Sequence, residues 1–158
     1  MPIAIKDSTI DITSEKLTKE LAKEFTKYLK GGEFVFLYGE MGVGKTTFVK
    51  YFINEYQKIN NLTQSEITSP TFSLLNEYQV KDIRIKHYDL FRINRKEDIN
   101  NLDIFEKDNK LITLIEWPQL IADKQDIKFI TLTFNYLNDL NDRTCLLYTS
   151  PSPRDRVR

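Results

Sequence analysis

The sequence predicts an α/β domain built in three layers around a mixed, mostly parallel central sheet. Three observations lead to it. Phe34-Val35-Phe36-Leu37-Tyr38 is a continuous apolar run of strand length, and continuous rather than alternating apolarity belongs to a strand covered on both faces. A glycine-rich stretch follows it and leads into Phe48, Tyr51, Phe52 and Tyr56 at helical spacing. Leu111–Ile115 is a second buried-type strand, whereas Phe72–Gln79 and Ile83–Tyr88 are joined only by Lys81-Asp82, a link short enough for an antiparallel hairpin.

The elements follow in order. Ile3-Ala4-Ile5 and Ile10-Asp11-Ile12 alternate weakly, as one or two strands would. Ser14 is placed to cap a helix whose apolar stripe is Leu17, Leu21, Phe25 and Leu29. Gly31-Gly32 ends that helix, because glycine readily takes the left-handed conformation a helix end needs. The next helix runs from Lys45 to about Gln57. Residues 58–66 are polar loop, and Thr68-Ser69-Pro70-Thr71 is a turn signal. Residues 95–107 are charged, with Ile99, Leu102 and Phe105 at helical spacing. The strand Leu111–Ile115 ends on Glu116-Trp117-Pro118, a short helix follows, and Phe129–Phe134 is the last clear strand.

Composition sets limits. The 158 residues are 41% hydrophobic and 29% charged, which suits one globular domain. With 23 basic and 23 acidic side chains the formal charge is zero, which argues against a surface that grips nucleic acid or anionic membrane broadly. Cys145 is the only cysteine, so no internal disulfide can form, as expected in a reducing compartment. There is no apolar signal core and no uncharged apolar run of about 20 residues, the span of a bilayer. The expectation is a cytoplasmic protein with no membrane association. The domain is expected to cover residues 1–144. From Cys145 to Arg158 the composition changes to proline and arginine, and this segment reads as a non-native or disordered tail.

Gly39-Glu40-Met41-Gly42-Val43-Gly44-Lys45-Thr46 matches G-x-x-x-x-G-K-[ST], the Walker A pattern, in full. Each position has a physical reason. The glycines let the backbone curl so that successive N–H groups point inward as an anion nest. The helix that starts there offers its free N–H groups and positive dipole end to phosphates. Lys45 reaches the β- and γ-phosphates, Thr46 offers its hydroxyl to Mg²⁺, and Thr47 approaches the α-phosphate. Strand, loop and helix stand in the order that supports a P-loop. Such a site needs a carboxylate at the end of a neighbouring strand to hold Mg²⁺. Glu116 and Asp89 both end strands, and either serves; the residues alone do not say which touches the metal. Lys45, Asp89 and Glu116 are therefore the candidate catalytic residues. Trp117, the only tryptophan, either packs or covers the nucleotide pocket. His87, the only histidine, reads first as a hydrogen-bonded structural residue. The Thr68–Thr71 turn reads as a switch loop whose hydroxyl senses the γ-phosphate.

Together, Gly39–Thr47, Thr68-Ser69-Pro70-Thr71-Phe72, His87-Tyr88-Asp89-Leu90-Phe91-Arg92 and Glu116-Trp117-Pro118 resemble the bacterial TsaE family. The resemblance covers roughly residues 5 to 144. It implies the ATPase component of the machinery that makes threonylcarbamoyladenosine in tRNA. It further implies ATP and Mg²⁺ as cofactors and TsaB and TsaD as partners. TsaD transfers the threonylcarbamoyl group to adenosine 37 of ANN-decoding tRNAs, so this chain meets tRNA only indirectly, through the complex. Two departures stand out. Gln119 replaces the acidic residue that often follows Glu-Trp-Pro in the family, and the family's closing strand falls where this chain has its unusual tail.

Two other classes share the P-loop but fit the rest of the sequence less well. A small P-loop kinase brings arginines from a lid to the transferred phosphate, yet the chain has no arginine between Lys96 and Asp142. A non-hydrolysing nucleotide switch needs no metal carboxylate, yet Asp89 and Glu116 are present. Arg92 is the only arginine expected close to a motif.

Overall fold

The structure is a computed structural model, and it describes residues 8–123, 127–137 and 142–149. Among the described residues two α-helices and seven strands carry the domain. In chain order these are β1 (Ser8–Asp11), α1 (Glu15–Tyr28), β2 (Phe34–Tyr38), α2 (Lys45–Ile59), β3 (Leu75–Val80), β4 (Ile83–Asp89), β5 (Leu111–Glu116), β6 (Phe129–Tyr136) and β7 (Arg143–Thr149). The Ile3–Ile5 strand proposed from sequence lies outside the described residues.

The strands form one sheet in the order β1-β7-β6-β2-β5-β4-β3. Its centre, β6-β2-β5-β4, is parallel, and both flanks are antiparallel. β1, β2, β4, β5 and β6 share a direction, and β3 and β7 oppose it. The sheet is thus mixed with parallel direction dominant, as the sequence implied. The hairpin β3–β4 turns through Lys81, whose φ of 58° is the left-handed conformation a two-residue link demands.

α1 and α2 cover one face. Ser14 caps α1, its Oγ accepting from the Leu17 N–H at 3.2 Å. Leu21, Ala22 and Phe25 of α1 and Phe48, Val49, Phe52 and Ile53 of α2 pack over Val35, Leu37, Ile112, Leu114 and Leu132. Phe48 sits edge-on to both Phe25 and Phe134. The other face buries Phe36, Tyr88, Leu90, Ile115 and Ile121 under a thinner cover. That third layer is a correction to the helix expected over residues 95–107: the chain there makes only a 3-10 helix, Lys96–Leu102. The physical reason is local. Asp98, Asn100 and Asn101 are residue types that favour side-chain bonds to nearby backbone over helix propagation, and Ile99 is the one buried residue of the 3-10 helix. A second 3-10 turn, Pro118–Leu120, follows β5.

β7 is the larger correction. The segment from Cys145, expected to be a non-native or disordered tail, enters the sheet as far as Thr149: residues 143–149 pair antiparallel with β6 on one side and β1 on the other. Cys145 and Leu147 point into the helix-covered core, while Leu146 is 38% exposed. The change of composition at Cys145 therefore leaves the inward–outward alternation of a strand intact. Thr144 is not a structural boundary, and no sheet edge is opened there. The prolines that argued against a strand, Pro151 and Pro153, lie outside the described residues. Among the described residues no helix is long and apolar enough to cross a membrane.

Candidate functional site

The glycine-rich loop leaves β2 and enters α2 directly. Gly39, Gly42 and Gly44 take φ of 144°, 82° and 120°. At Gly39 the space is also closed: a Cβ there would stand 2.7 Å from the Phe134 carbonyl oxygen and 2.8 Å from Val43 Cγ1. Gly44 is the N-cap of α2 and carries no side chain to satisfy the first N–H groups, so that helix end is left facing the loop with its donors available.

Lys45 and Thr46 open α2, and their partners come from two neighbouring parallel strands. β4 and β5 are registered so that Asp89 lies beside Glu116. Both carboxylates therefore emerge at the same end of the sheet, on the face that α2 covers. Lys45 Nζ donates to the Gly39 carbonyl at 2.6 Å. Thr46 Oγ1 lies 3.0 Å from each oxygen of Glu116. The Phe91 N–H donates to Asp89 Oδ1 at 3.0 Å. Lys45, Asp89 and Glu116 are all buried.

These groups line one cavity of about 250 Å³. Met41, Gly42, Gly44 and Thr47 contribute from the loop and α2, Ser69 and Thr71 from the turn before β3, and Phe91 and Trp117 from the strand ends. Gly39, Glu40 and Val43 do not line it; Gly39 and Val43 shape the loop from behind, and Glu40 is exposed. The Thr68–Thr71 turn thus reaches the same cavity, with the Ser69 and Thr71 hydroxyls 2.8 Å apart.

Electrostatics in the cavity are strained. Burial holds the Lys45 amine below its usual range, with Glu116 and Asp89 pulling it partly back. Burial likewise pushes the Asp89 carboxyl up; the Phe91 N–H opposes this, Glu116 adds to it, and His87 and Lys45 offset it. A carboxyl raised in the folded state stabilises the fold while protonated, and that contribution is lost as pH rises through its folded value. At neutral pH the Asp89 charge is consequently a cost. Asp89→Asn is expected to raise the stability of the ligand-free protein at pH 7 by about 0.5–2 kcal/mol; a melting curve checks this, and the gain should vanish below about pH 4, where the acid is protonated anyway.

Three contributors were missed or left open by the sequence. Trp117 sits at φ 58°, ψ 57°, left-handed values that are uncommon for a bulky residue. Its ring lies 3.7 Å from Lys45 Nζ and 4.8 Å from the Phe91 ring, so it forms a wall of the cavity. Because it is the only tryptophan, its emission should change when a phosphate ligand draws Lys45 away; an unchanged spectrum at saturation would contradict this. Arg143 is the second. It donates from Nη1 to the Val43 carbonyl at 3.2 Å and from Nη2 to the Thr13 carbonyl at 3.0 Å. This corrects the expectation that Arg92 alone stands near a motif. Arg92 is exposed and rests over the Phe72 ring at 4.9 Å. No local pattern could reveal Arg143, because it reaches the loop through sheet order, standing opposite Tyr136 of β6. His87 is the third, with Nε2 at 2.6 Å from Glu116 Oε2.

Comparison with known proteins now decides the family. The profile described as "Threonylcarbamoyl adenosine biosynthesis protein TsaE" matches residues 12–144. The chain belongs to the TsaE family. A TsaE protein of Rickettsia conorii is 36% identical over 88% of this chain and 77% of its own length. One from Aquifex aeolicus is 37% identical over 68% of this chain and 74% of its own. Both carry the name tRNA threonylcarbamoyladenosine biosynthesis protein TsaE. The crystal structure of Bacillus subtilis YdiB superposes with a TM-score of 0.70 at 23% identity, covering 92% of this chain and 87% of that one. That likeness speaks to the fold. The TsaE motifs fall in one place: the glycine loop, the turn at Thr68–Thr71 and the ends of β4 and β5 all face a single cavity.

Proposed function

We propose that this TsaE-family chain binds ATP with Mg²⁺ at the Gly39–Thr46 loop and hydrolyses it. In this role it is the cytoplasmic ATPase that sustains repeated turnover of the TsaB–TsaD pair in tRNA threonylcarbamoyladenosine formation. The observation that carries the reading is the convergence of Lys45, Thr46, Asp89 and Glu116 in one cavity at a helix N-terminus.

The parts divide the work by their chemistry. Backbone N–H groups of Gly42 to Thr47 cradle the phosphate chain, where the helix dipole favours negative charge. Lys45 supplies the point charge for the β- and γ-phosphates. The oxygen donors of Thr46, Glu116 and Asp89 suit a hard cation. Among the described residues no three His, Cys, Asp or Glu side chains form a metal cage, and Mg²⁺ at phosphate sites is typically held by one or two carboxylates plus the phosphates themselves. When bound, the ion would neutralise charge on the phosphate oxygens. Glu116, bonded to Thr46, holds the hydroxyl oriented toward that position. Ser69 and Thr71 present hydroxyls to the terminal phosphate.

The reading also predicts a slow enzyme. Arg143 is committed to backbone carbonyls and Arg92 lies outside the cavity lining, so no arginine among the described residues is aimed at the transferred group. The isolated chain should turn over ATP at about 10⁻⁴ to 10⁻² per second, as P-loop enzymes without such a charge do. The test is phosphate release by the chain alone and with TsaB and TsaD. Stimulation by the pair supports the assignment. Fast turnover alone, or binding without release in any mixture, would count against it; a kinase would instead move the phosphate to an added acceptor.

A further inference from the structure

His87 belongs to β4, on the same face as Asp89 and Ile85, and it is completely buried. Its Nε2 lies 2.6 Å from Glu116 Oε2. Its other ring nitrogen, Nδ1, is buried and has no hydrogen-bond partner among the described residues. With no acceptor for a proton at Nδ1, the ring carries its proton on Nε2 and donates it to the carboxylate. An apolar side chain would fill this core position without leaving a polar nitrogen unpaired. What the imidazole adds is a single N–H aimed at one oxygen of Glu116.

That oxygen matters because of its neighbours. The Glu116 carboxylate already accepts from the Thr46 hydroxyl, the first side-chain oxygen of α2. Glu116 has a free torsion at its end, and Thr46 stands equally close to both oxygens, so Thr46 alone does not fix the rotation of the carboxylate plane. The bond from His87 approaches from inside the core and fixes it. His87, Glu116 and Thr46 thus form a chain that runs from the buried face of β4, through the end of β5, to the start of α2.

We infer that His87 is a positioning residue for the nucleotide–metal site: it orients Glu116 so that the carboxylate and the Thr46 hydroxyl meet a divalent cation bound with the nucleotide. This rests on the nucleotide reading above and deepens it. Ligands of a bound ion are commonly held by a second set of hydrogen bonds, and loss of one costs roughly ten- to a hundredfold in metal affinity.

The test separates metal from nucleotide. Affinity for a fluorescent ADP analogue is measured in EDTA and again with Mg²⁺, for the wild type, His87→Phe and His87→Gln; the Gln amide nitrogen stands where Nε2 does. In EDTA all three should bind within about twofold, since the loop is untouched. The gain on adding Mg²⁺ should fall roughly tenfold or more in His87→Phe and recover in His87→Gln. An undiminished Mg²⁺ gain in folded His87→Phe would overturn the inference. If that variant fails to fold, nitrogen NMR of the untagged wild type decides, because the chain has one histidine. A proton on Nε2 whose signal moves in Glu116→Gln supports the inference, and a proton on Nδ1 overturns it. Wild type that binds no nucleotide in either buffer would bring down the underlying reading, a distinct result.

Discussion

Lys45→Ala is expected to remove productive ATP binding and to lower phosphate release by about a hundred- to a thousandfold, the scale seen when one preorganised charge or donor is deleted from a phosphate or oxyanion site. The reason is in its surroundings. Lys45 Nζ is buried, held at 2.6 Å by the Gly39 carbonyl and capped by the Trp117 ring. It is thus a charge kept in place before the ligand arrives, at the expense of a lowered pKa. The fold should survive, because the deleted atoms face a cavity and the strands beneath are untouched. Isothermal titration with ATP–Mg²⁺, a phosphate-release assay and a melting curve together check this. A variant that melts normally and still hydrolyses ATP would remove the loop from the mechanism.

Truncation after Thr144 should do the opposite: it should destroy the fold rather than the chemistry. The deletion strips β7 of Cys145 and Leu147, both buried, and it takes from β1 its neighbour in the sheet. Core residues on β6, Leu132 and Phe134, would lose their cover on that side. A single Leu147→Ala change is expected to cost about 2–5 kcal/mol, the range for emptying a buried aliphatic position. Leu146→Ala, on the outward face, should stay within about 0.5 kcal/mol. Denaturant unfolding of the three proteins tests the set. A truncated chain as stable as the full one would show that β7 carries no weight.

The parts of this molecule that were legible in sequence are those where short-range pattern and environment agree. β2 and β5 were readable because Phe34–Leu37 and Leu111–Ile115 are buried on both faces, and buried strands write continuous apolar runs. The loop was readable because its glycines are demanded by backbone geometry. Asp89 and Glu116 were readable as strand ends, but their adjacency came only with the β4–β5 register. β7 was hidden because a strand signal of two inward residues, Cys145 and Leu147, is weak beside the proline- and arginine-rich residues that follow it. Arg143 and His87 were hidden for another reason. Their partners, Val43 and Thr13 for one and Glu116 for the other, are distant in the chain, and no local period encodes a contact made by sheet order. Trp117 could be placed beside Glu116, but its left-handed backbone, which turns the ring over Lys45, follows no sequence rule for tryptophan.

The position of β1 has a consequence for how the chain reaches its native state. β1 starts at Ser8, yet its partner β7 begins at Arg143. During synthesis β1 therefore has no neighbour in the sheet until residues 143–149 have left the ribosome. The parallel centre and the α1–α2 layer can assemble earlier, from segments closer together in the chain. Closing the flank must bring together segments more than a hundred residues apart, and contacts of such separation slow folding. β6 and β7 are neighbours in the chain and pair with each other, so until β1 docks it is β7 that stands at the outer edge, the kind of surface that invites association with another chain. The docking of β1 also sets Thr13 beside Arg143, which bonds at once to the Thr13 carbonyl and to the Val43 carbonyl of the glycine loop.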